Sequence, residues 1–210
     1  MRTARPVGSG KHPGLIVFQE AFGVNAHIRD ITQRFAREGN VSIAPELFHR
    51  TAAGFEAGYD DFASAIPHMR ALKDVDMQAD QRSSWNWLRE NIGPNAPVDA
   101  IGYCMGGRAA FLAGLTLPLA GAISYYGGGI ASNPTNPGLL GRAAELRCPI
   151  LLFWGGNDKH ILPEHRRGVN DTLTAARKTF VDVEISDADH GFFSTPGPAI
   201  TPRRRPWRGP

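Results

Sequence analysis

The apolar positions of this chain fall into short dense runs separated by longer stretches with helical spacing. Leu15–Phe18, Val41–Ala44, Val98–Ile101, Gly121–Tyr125 and Ile150–Trp154 are each four or five residues long, too short for a helix, and read as buried strands. Thr179–Ile185 alternates polar and apolar positions, the two-residue period of a strand with one open face. Between these runs the period lengthens. After Asn25, a side chain suited to cap a helix, Ile28, Ile31 and Phe35 share one face, and Gly39 supplies a stop. Met77, Trp85, Leu88 and Ile92 fit a second helix that ends near Gly93-Pro94. Arg108–Leu115 reads as a third. Pro163–Lys178 reads as a fourth, with proline in its first turn and Val169, Leu173 and Ala176 turned inward. Thr51–Asp76, which holds Gly54, Gly58 and Pro67, reads as loop with short helical pieces. Strands alternating with helices predict an α/β fold: a mostly parallel sheet with helices on both faces.

Length and composition narrow the classes. A chain of 210 residues with 42% hydrophobic and 20% charged residues fits one soluble globular domain. Two cysteines are no disulfide framework, and Met1–Gly14 lacks the apolar core of a signal peptide, so a cytoplasmic setting is expected. Ala109–Tyr126 is uncharged over a length that could span a bilayer, but Pro118 and Gly121 divide it into helix, turn and strand, so no membrane association is expected. The formal charge of +3 misleads, because four arginines (203, 204, 205 and 208) lie beyond residue 200 with no acid among them. Residues 1–200 carry 19 basic and 20 acidic side chains, which excludes a basic nucleic-acid-binding body.

Gly102-Tyr103-Cys104-Met105-Gly106-Gly107 carries the chemistry. A reactive side chain among glycines, between a strand and a helix, is the pattern of a nucleophile elbow. The turn is tight enough that neighbours need to be nearly without side chains. Here the nucleophile is a thiol, and the following helix aims its N-terminal dipole at the sulfur, which favours thiolate. Cys148, followed by proline at the head of an apolar run, reads instead as a core residue.

Functional groups of such sheets gather beyond the carboxyl ends of the strands. Asp158 follows Ile150–Trp154, and His190 follows Thr179–Ile185. Nucleophile, acid, histidine is the chain order of the α/β-hydrolases. The chemistry assigns His190 as the base for the thiol and the acid for the leaving oxygen, with Asp158 holding the imidazole. The Met105 N–H supplies one oxyanion donor, and the loop Gln19-Glu20-Ala21-Phe22-Gly23 supplies the second through the Ala21 N–H. Glu20 then falls near the sulfur, where a carboxylate disfavours thiolate.

With these residues the chain resembles the dienelactone hydrolase family. The resemblance rests on Gln19–Asn25, His27–Asp30, Ala44–Arg50, Gly102–Gly107 and His190–Phe193, and runs from about Ala4 to Phe193. It implies an α/β-hydrolase fold that cleaves lactones or small esters with a Cys104-Asp158-His190 triad and no cofactor or metal. It also implies that Glu20 keeps the resting thiol protonated and helps to deprotonate it when substrate binds. Two departures stand out. Some members carry an arginine four residues after the histidine to bind a substrate carboxylate, where this chain has Ser194. The family continues into a C-terminal helix, where this chain places five prolines in its last 17 residues, so that helix is expected to be lacking. The tail reads as an altered reading frame or a truncation, and the resemblance begins without the family's leading strands. We therefore divide the chain into a hydrolase-like domain, 1–193, and a Pro/Arg-rich irregular tail, 194–210. Arg70 is the candidate for restoring anion binding. The expected partner is a small ester or lactone. Alternatives are a carboxylesterase with another acyl substrate and an inactive relative that binds a ligand or partner.

Overall fold

The computed structural model describes residues 1–8, 10–132 and 136–194. Among these residues seven strands form one sheet in the order β1-β3-β2-β4-β5-β6-β7. They are β1 (Arg2–Ala4), β2 (Gly14–Phe18), β3 (Val41–Ala44), β4 (Val98–Tyr103), β5 (Gly121–Tyr125), β6 (Ile150–Gly155) and β7 (Phe180–Ile185). Only β1 runs antiparallel to its neighbour; β2 to β7 are parallel. The helices are α1 (Ala26–Arg37), α2 (Phe62–Ala71), α3 (Asp74–Ile92), α4 (Met105–Thr116) and α5 (Pro163–Ala175). The predicted α/β architecture is therefore the observed one, with six of the seven strands at the predicted places.

Local signals account for most element ends. The Asn25 side chain accepts from the Ile28 N–H and caps α1. Gly39, at φ +97°, follows the last turn. The stretch read as membrane-length is α4, a turn and β5; among the described residues no helix is long and apolar enough to cross a membrane.

Two features correct the sequence reading and a third adds to it. Thr51–Asp76 is not loop with fragments: it contains the ten-residue helix α2 and the start of α3. Asp61 caps α2 by accepting from the Ser64 N–H, and the helix runs through Pro67, giving up one backbone bond there. A leading strand, β1, is present and pairs with β3 through Arg2↔Ala44 and Ala4↔Ser42. Leu140–Glu145, for which the sequence reading named no element, forms a short 3-10 helix. The expectation that no helix follows Phe193 falls on residues outside those described.

Register sorts the side chains onto two faces. Ala100 pairs with Ala122, and Ala122 with Ile150; this face lies under α3, α4 and α5. On the opposite face Tyr103 pairs with Tyr125 and meets His27 of α1. Helix α1 packs on β1, β2 and β3. Over β5, β6 and β7 the same face has no helix among the described residues. Leu151, Val181 and Ile185 are there 36%, 52% and 36% exposed.

Candidate active site

Cys104 sits at the turn from β4 into α4 with φ 55° and ψ −118°, a left-handed backbone that a non-glycine residue adopts only under constraint. Two packing contacts impose it. A Cβ on Gly102 would stand 1.8 Å from the Gly106 carbonyl oxygen, so only glycine lets the strand and helix approach so closely. A Cβ on Gly106 would meet the Phe18 and Gln19 carbonyl oxygens at 2.5 and 2.4 Å, so the first turn of α4 lies directly against the end of β2. The Cys104 N–H donates to the Tyr125 carbonyl at 3.0 Å and anchors the turn to β5. The side chain is half-buried. Met105 is the first residue of α4, so its N–H has no acceptor within the helix. Ala21, fully buried, lies just past β2 in the same neighbourhood.

The loops after β6 and β7 bring in the other two members. His190 Nδ1 lies 2.7 Å from Asp158 Oδ2. This leaves Nε2 for the Cys104 side chain, which is near enough to the ring to help raise it. The other oxygen of Asp158 accepts from the His160 and Ile161 N–H groups at 2.7 and 3.0 Å. Asp158 is 5% exposed. Burial works to raise its carboxyl, but the hydrogen bond and charge of His190 and the two N–H groups hold it below the usual carboxylate range. Burial likewise opposes a charge on His190, yet its bonds to Asp158 and Cys104, and their charges, push the imidazole up to about 10. The pair is thus built to hold a proton on His190.

Glu20 is buried at 2% exposure, in a bridge with Gly23. Its carboxylate accepts from three hydroxyls: Tyr59 at 2.7 Å, Ser194 at 2.8 Å and Tyr126 at 3.4 Å. Tyr126 links this group to the triad, because its ring lies 5.1 Å from that of His190 and its phenol feels the charges of both Glu20 and Cys104. Burial first, and then the Glu20 charge, push the Tyr59 and Tyr126 phenols well above their ordinary value. Phe22 packs on Tyr59 and Phe62 at 4.7 and 6.1 Å, and Phe192 on Tyr126 at 5.1 Å, giving the site aromatic walls. Burial lowers the His27 imidazole, while the Glu20 charge pulls the other way.

Of the residues singled out in the sequence, Cys104, Asp158 and His190 come together, and Glu20, Met105 and Ala21 lie at the same strand ends. Arg70 does not join them: it is exposed on α2 and makes no hydrogen bond or ion pair among the described residues. Cys148 is buried, and burial pushes its thiol up to about 11, as a core residue requires. Sequence reasoning missed Tyr59 and Tyr126. Tyr126 had a usable signal, since it directly follows a predicted strand at the functional end of the sheet. Tyr59 had none, because nothing local ties a tyrosine in a Gly-Asp-rich loop to a carboxylate 39 residues away.

A mostly parallel sheet with helices on both faces, a strained turn after β4 and polar groups gathered past its strands define an α/β-hydrolase-fold protein. The chain belongs to the Dienelactone hydrolase family, whose sequence profile matches residues 1–203. A Synechocystis sp. relative, provisionally named a carboxymethylenebutenolidase, is 36% identical over 90% of this chain and 79% of its own length. The carboxymethylenebutenolidase of Pseudomonas putida is 29% identical over 87% of this chain and 76% of its own. A Klebsiella pneumoniae crystal structure, provisionally named a dienelactone hydrolase, superposes with a TM-score of 0.82. It is 32% identical and covers 90% of this chain and 80% of that one.

Proposed function

We propose that this protein hydrolyses small esters or lactones through a cysteinyl acyl-enzyme, with Cys104 as nucleophile, His190 as acid and base, and Asp158 as the group that orients and charges the imidazole. The observation that carries the reading is the 2.7 Å Asp158–His190 bond, beside the strained turn that presents Cys104. Family membership and relatives named for lactone hydrolysis support it.

The steps follow from these groups. His190 takes the thiol proton, and the Cys104 sulfur bonds to the substrate carbonyl carbon. The carbonyl π pair moves onto oxygen, and the Met105 and Ala21 N–H groups receive the charge. Collapse of the tetrahedral species breaks the C–O bond, and the leaving alkoxide or enolate takes the proton from His190. In a lactone the leaving group stays attached to the acyl chain. Water then gives a proton to His190 and its hydroxyl to the thioester carbon. The sulfur leaves as thiolate and recovers the proton, and the product is a carboxylic acid. Asp158, held ionised, stabilises the imidazolium at both stages.

Glu20 acts on the sulfur's proton through Tyr126, which its carboxylate shares with the surroundings of Cys104 and His190. The same carboxylate, with hydroxyls rather than a cation on it, favours neutral substrates over those bearing a carboxylate. The test combines mass spectrometry of an ester-like probe with turnover of p-nitrophenyl acetate. We expect label on Cys104 and hydrolysis that disappears in Cys104→Ala. Hydrolysis at the wild-type rate in that variant would overturn the mechanism, and absence of both label and turnover would favour a ligand-binding protein.

A further inference from the structure

Glu20 and the Ala21 N–H both stand on the loop of residues 19–25, which joins β2 to α1 and lies outside both elements. A loop keeps a catalytic geometry only if neighbours outside it fix its backbone. Its inner side is fixed by Gln19, whose buried side chain accepts from the Leu47 N–H at 3.0 Å and donates to the Glu20 carbonyl at 3.3 Å.

Its outer side is covered by residues 55–59. Gly23 and Glu56 form an antiparallel bridge, and the Ala57 N–H donates to the Phe22 carbonyl at 3.2 Å. A Cβ on Gly23 would stand 1.9 Å from the Phe55 carbonyl oxygen, so the two backbones are in direct contact. The covering segment also delivers the Tyr59 hydroxyl to the Glu20 carboxylate. Neither piece of backbone can shift without the other.

Arg29 ties both pieces to the body of the fold. It belongs to α1, the helix that packs on β1, β2 and β3. Its Nη1 donates at 2.7 Å to the Val24 carbonyl, in the oxyanion loop, and also donates to the Glu56 carboxylate, in the covering segment. One guanidinium nitrogen thus serves the two at once. The Arg29 and Glu56 side chains are 33% and 40% exposed, and ion pairs so open to water add little to global stability. What this one fixes is position.

We propose that Arg29 is a positioning residue for the reaction: through the Val24 carbonyl and the Glu56 carboxylate it fixes the Ala21 N–H in the oxyanion hole and Tyr59 on Glu20. The oxyanion role presupposes the hydrolytic reading of Cys104; the hold on the two segments does not. Misplacing a transition-state donor by about 1 Å costs on the order of 100-fold in rate. Because the donor acts on charge that develops in the transition state, the loss falls on kcat and leaves KM nearly unchanged.

The native chain is compared with Arg29→Met, Arg29→Lys and Glu56→Gln by amide hydrogen exchange and by turnover of p-nitrophenyl acetate. Arg29→Met keeps the length of the side chain and removes every donor. We expect exchange within residues 20–24 and 55–59 to quicken about tenfold in Arg29→Met, with α4 and β4 as protected as in the native chain. We expect kcat to fall at least about tenfold, with KM within about twofold of native. Glu56→Gln should lose less, because the Val24 carbonyl keeps its donor. Arg29→Lys should recover part of the loss. High salt should bring the native kcat towards that of Glu56→Gln and leave that variant unmoved, since the pair is open to solvent. Either native exchange in the two segments or native kcat in Arg29→Met overturns the proposal. So does a loss of kcat accompanied by a lowered urea midpoint and by exchange quickened throughout the sheet, which is the signature of a merely structural role. If the native protein itself does not turn over the ester, the hydrolytic reading fails, and the exchange result alone supports or overturns the hold of Arg29 on the two segments.

Discussion

The Ser194 hydroxyl donates a 2.8 Å hydrogen bond to the Glu20 carboxylate, joining two residues 174 positions apart. A buried carboxylate at the site is therefore met by a short neutral donor. Ser194→Arg should raise kcat/KM for a carboxylate-bearing lactone relative to a matched neutral lactone by about tenfold, the value of roughly 1.4 kcal/mol of new charge pairing. An unchanged ratio in a properly folded variant would show that specificity is set elsewhere, Arg70 being the next position to neutralise.

Cys104→Ala should reduce ester hydrolysis by at least about 10³-fold, as loss of a nucleophile does when the remaining groups act as a unit. Cys104→Gly should be equally inactive but more stable than the alanine variant, because glycine adopts the φ of 55° without strain. Thermal melts of the two variants side by side test the second statement.

The Asp158–His190 pair makes stability pH-dependent in a definite direction. His190 is raised from 6.5 to about 10, so its contribution is complete below about pH 6.5 and is lost as pH rises through 10. Asp158 is lowered from 3.8, so its contribution is complete above that value and is lost as pH falls below it. The wild-type advantage over Asp158→Asn should therefore be widest between about pH 4 and 6.5 and should narrow on both sides. Denaturant titrations of both proteins across pH 3–11 measure it; an advantage that grows steadily towards pH 10 would contradict the sign.

Gly106→Ala should destabilise the protein by about 1–3 kcal/mol. The added methyl would press on the Phe18 and Gln19 carbonyl oxygens, which are backbone atoms and cannot turn away. Moving α4 from β2 also separates Met105 from Ala21, so activity should fall further than stability. A variant with native kcat and native melting temperature would mean that the two elements have more freedom than their contact implies.

Tyr59→Phe removes one of three hydroxyls from Glu20 without changing the ring that packs on Phe22. If Glu20 governs the proton of the sulfur, the pH profile of Cys104 alkylation should move in Tyr59→Phe and move again in Glu20→Gln. A role confined to folding would lower the melting temperature and leave both profiles in place.

Much of the fold was legible because parallel strands buried on both faces write themselves as short unbroken apolar runs, and Leu15–Phe18 and Val41–Ala44 did so almost to the residue. Strand β1 was not, because Arg2-Thr3-Ala4 has no pattern of its own and exists only by pairing with β3. Helix α2 was hidden by Pro67, whose usual effect is overridden once Asp61 caps the first turn. In the site, Cys104, Asp158 and His190 could be found because each follows a strand and each belongs to a short list of reactive side chains. Tyr59 could not, since its part depends on facing Glu20 in the assembled fold, and Ser194 stood out only as the place of an absent arginine, its bond to Glu20 spanning a distance in sequence that no local pattern records.

The left-handed turn at Cys104 is held by β2 on one side and β5 on the other, while its partners hang from β6 and β7. No continuous half of the polypeptide holds these pieces together. The chain must close contacts over nearly its whole length before the sulfur meets its imidazole, and such non-local closures are slow. Recovery of hydrolysis after dilution from denaturant therefore reports the last step of folding and not the first. Helical signal should return ahead of it, and a ribosome-bound chain still short of Phe180 should be chemically silent however much of its sheet has formed.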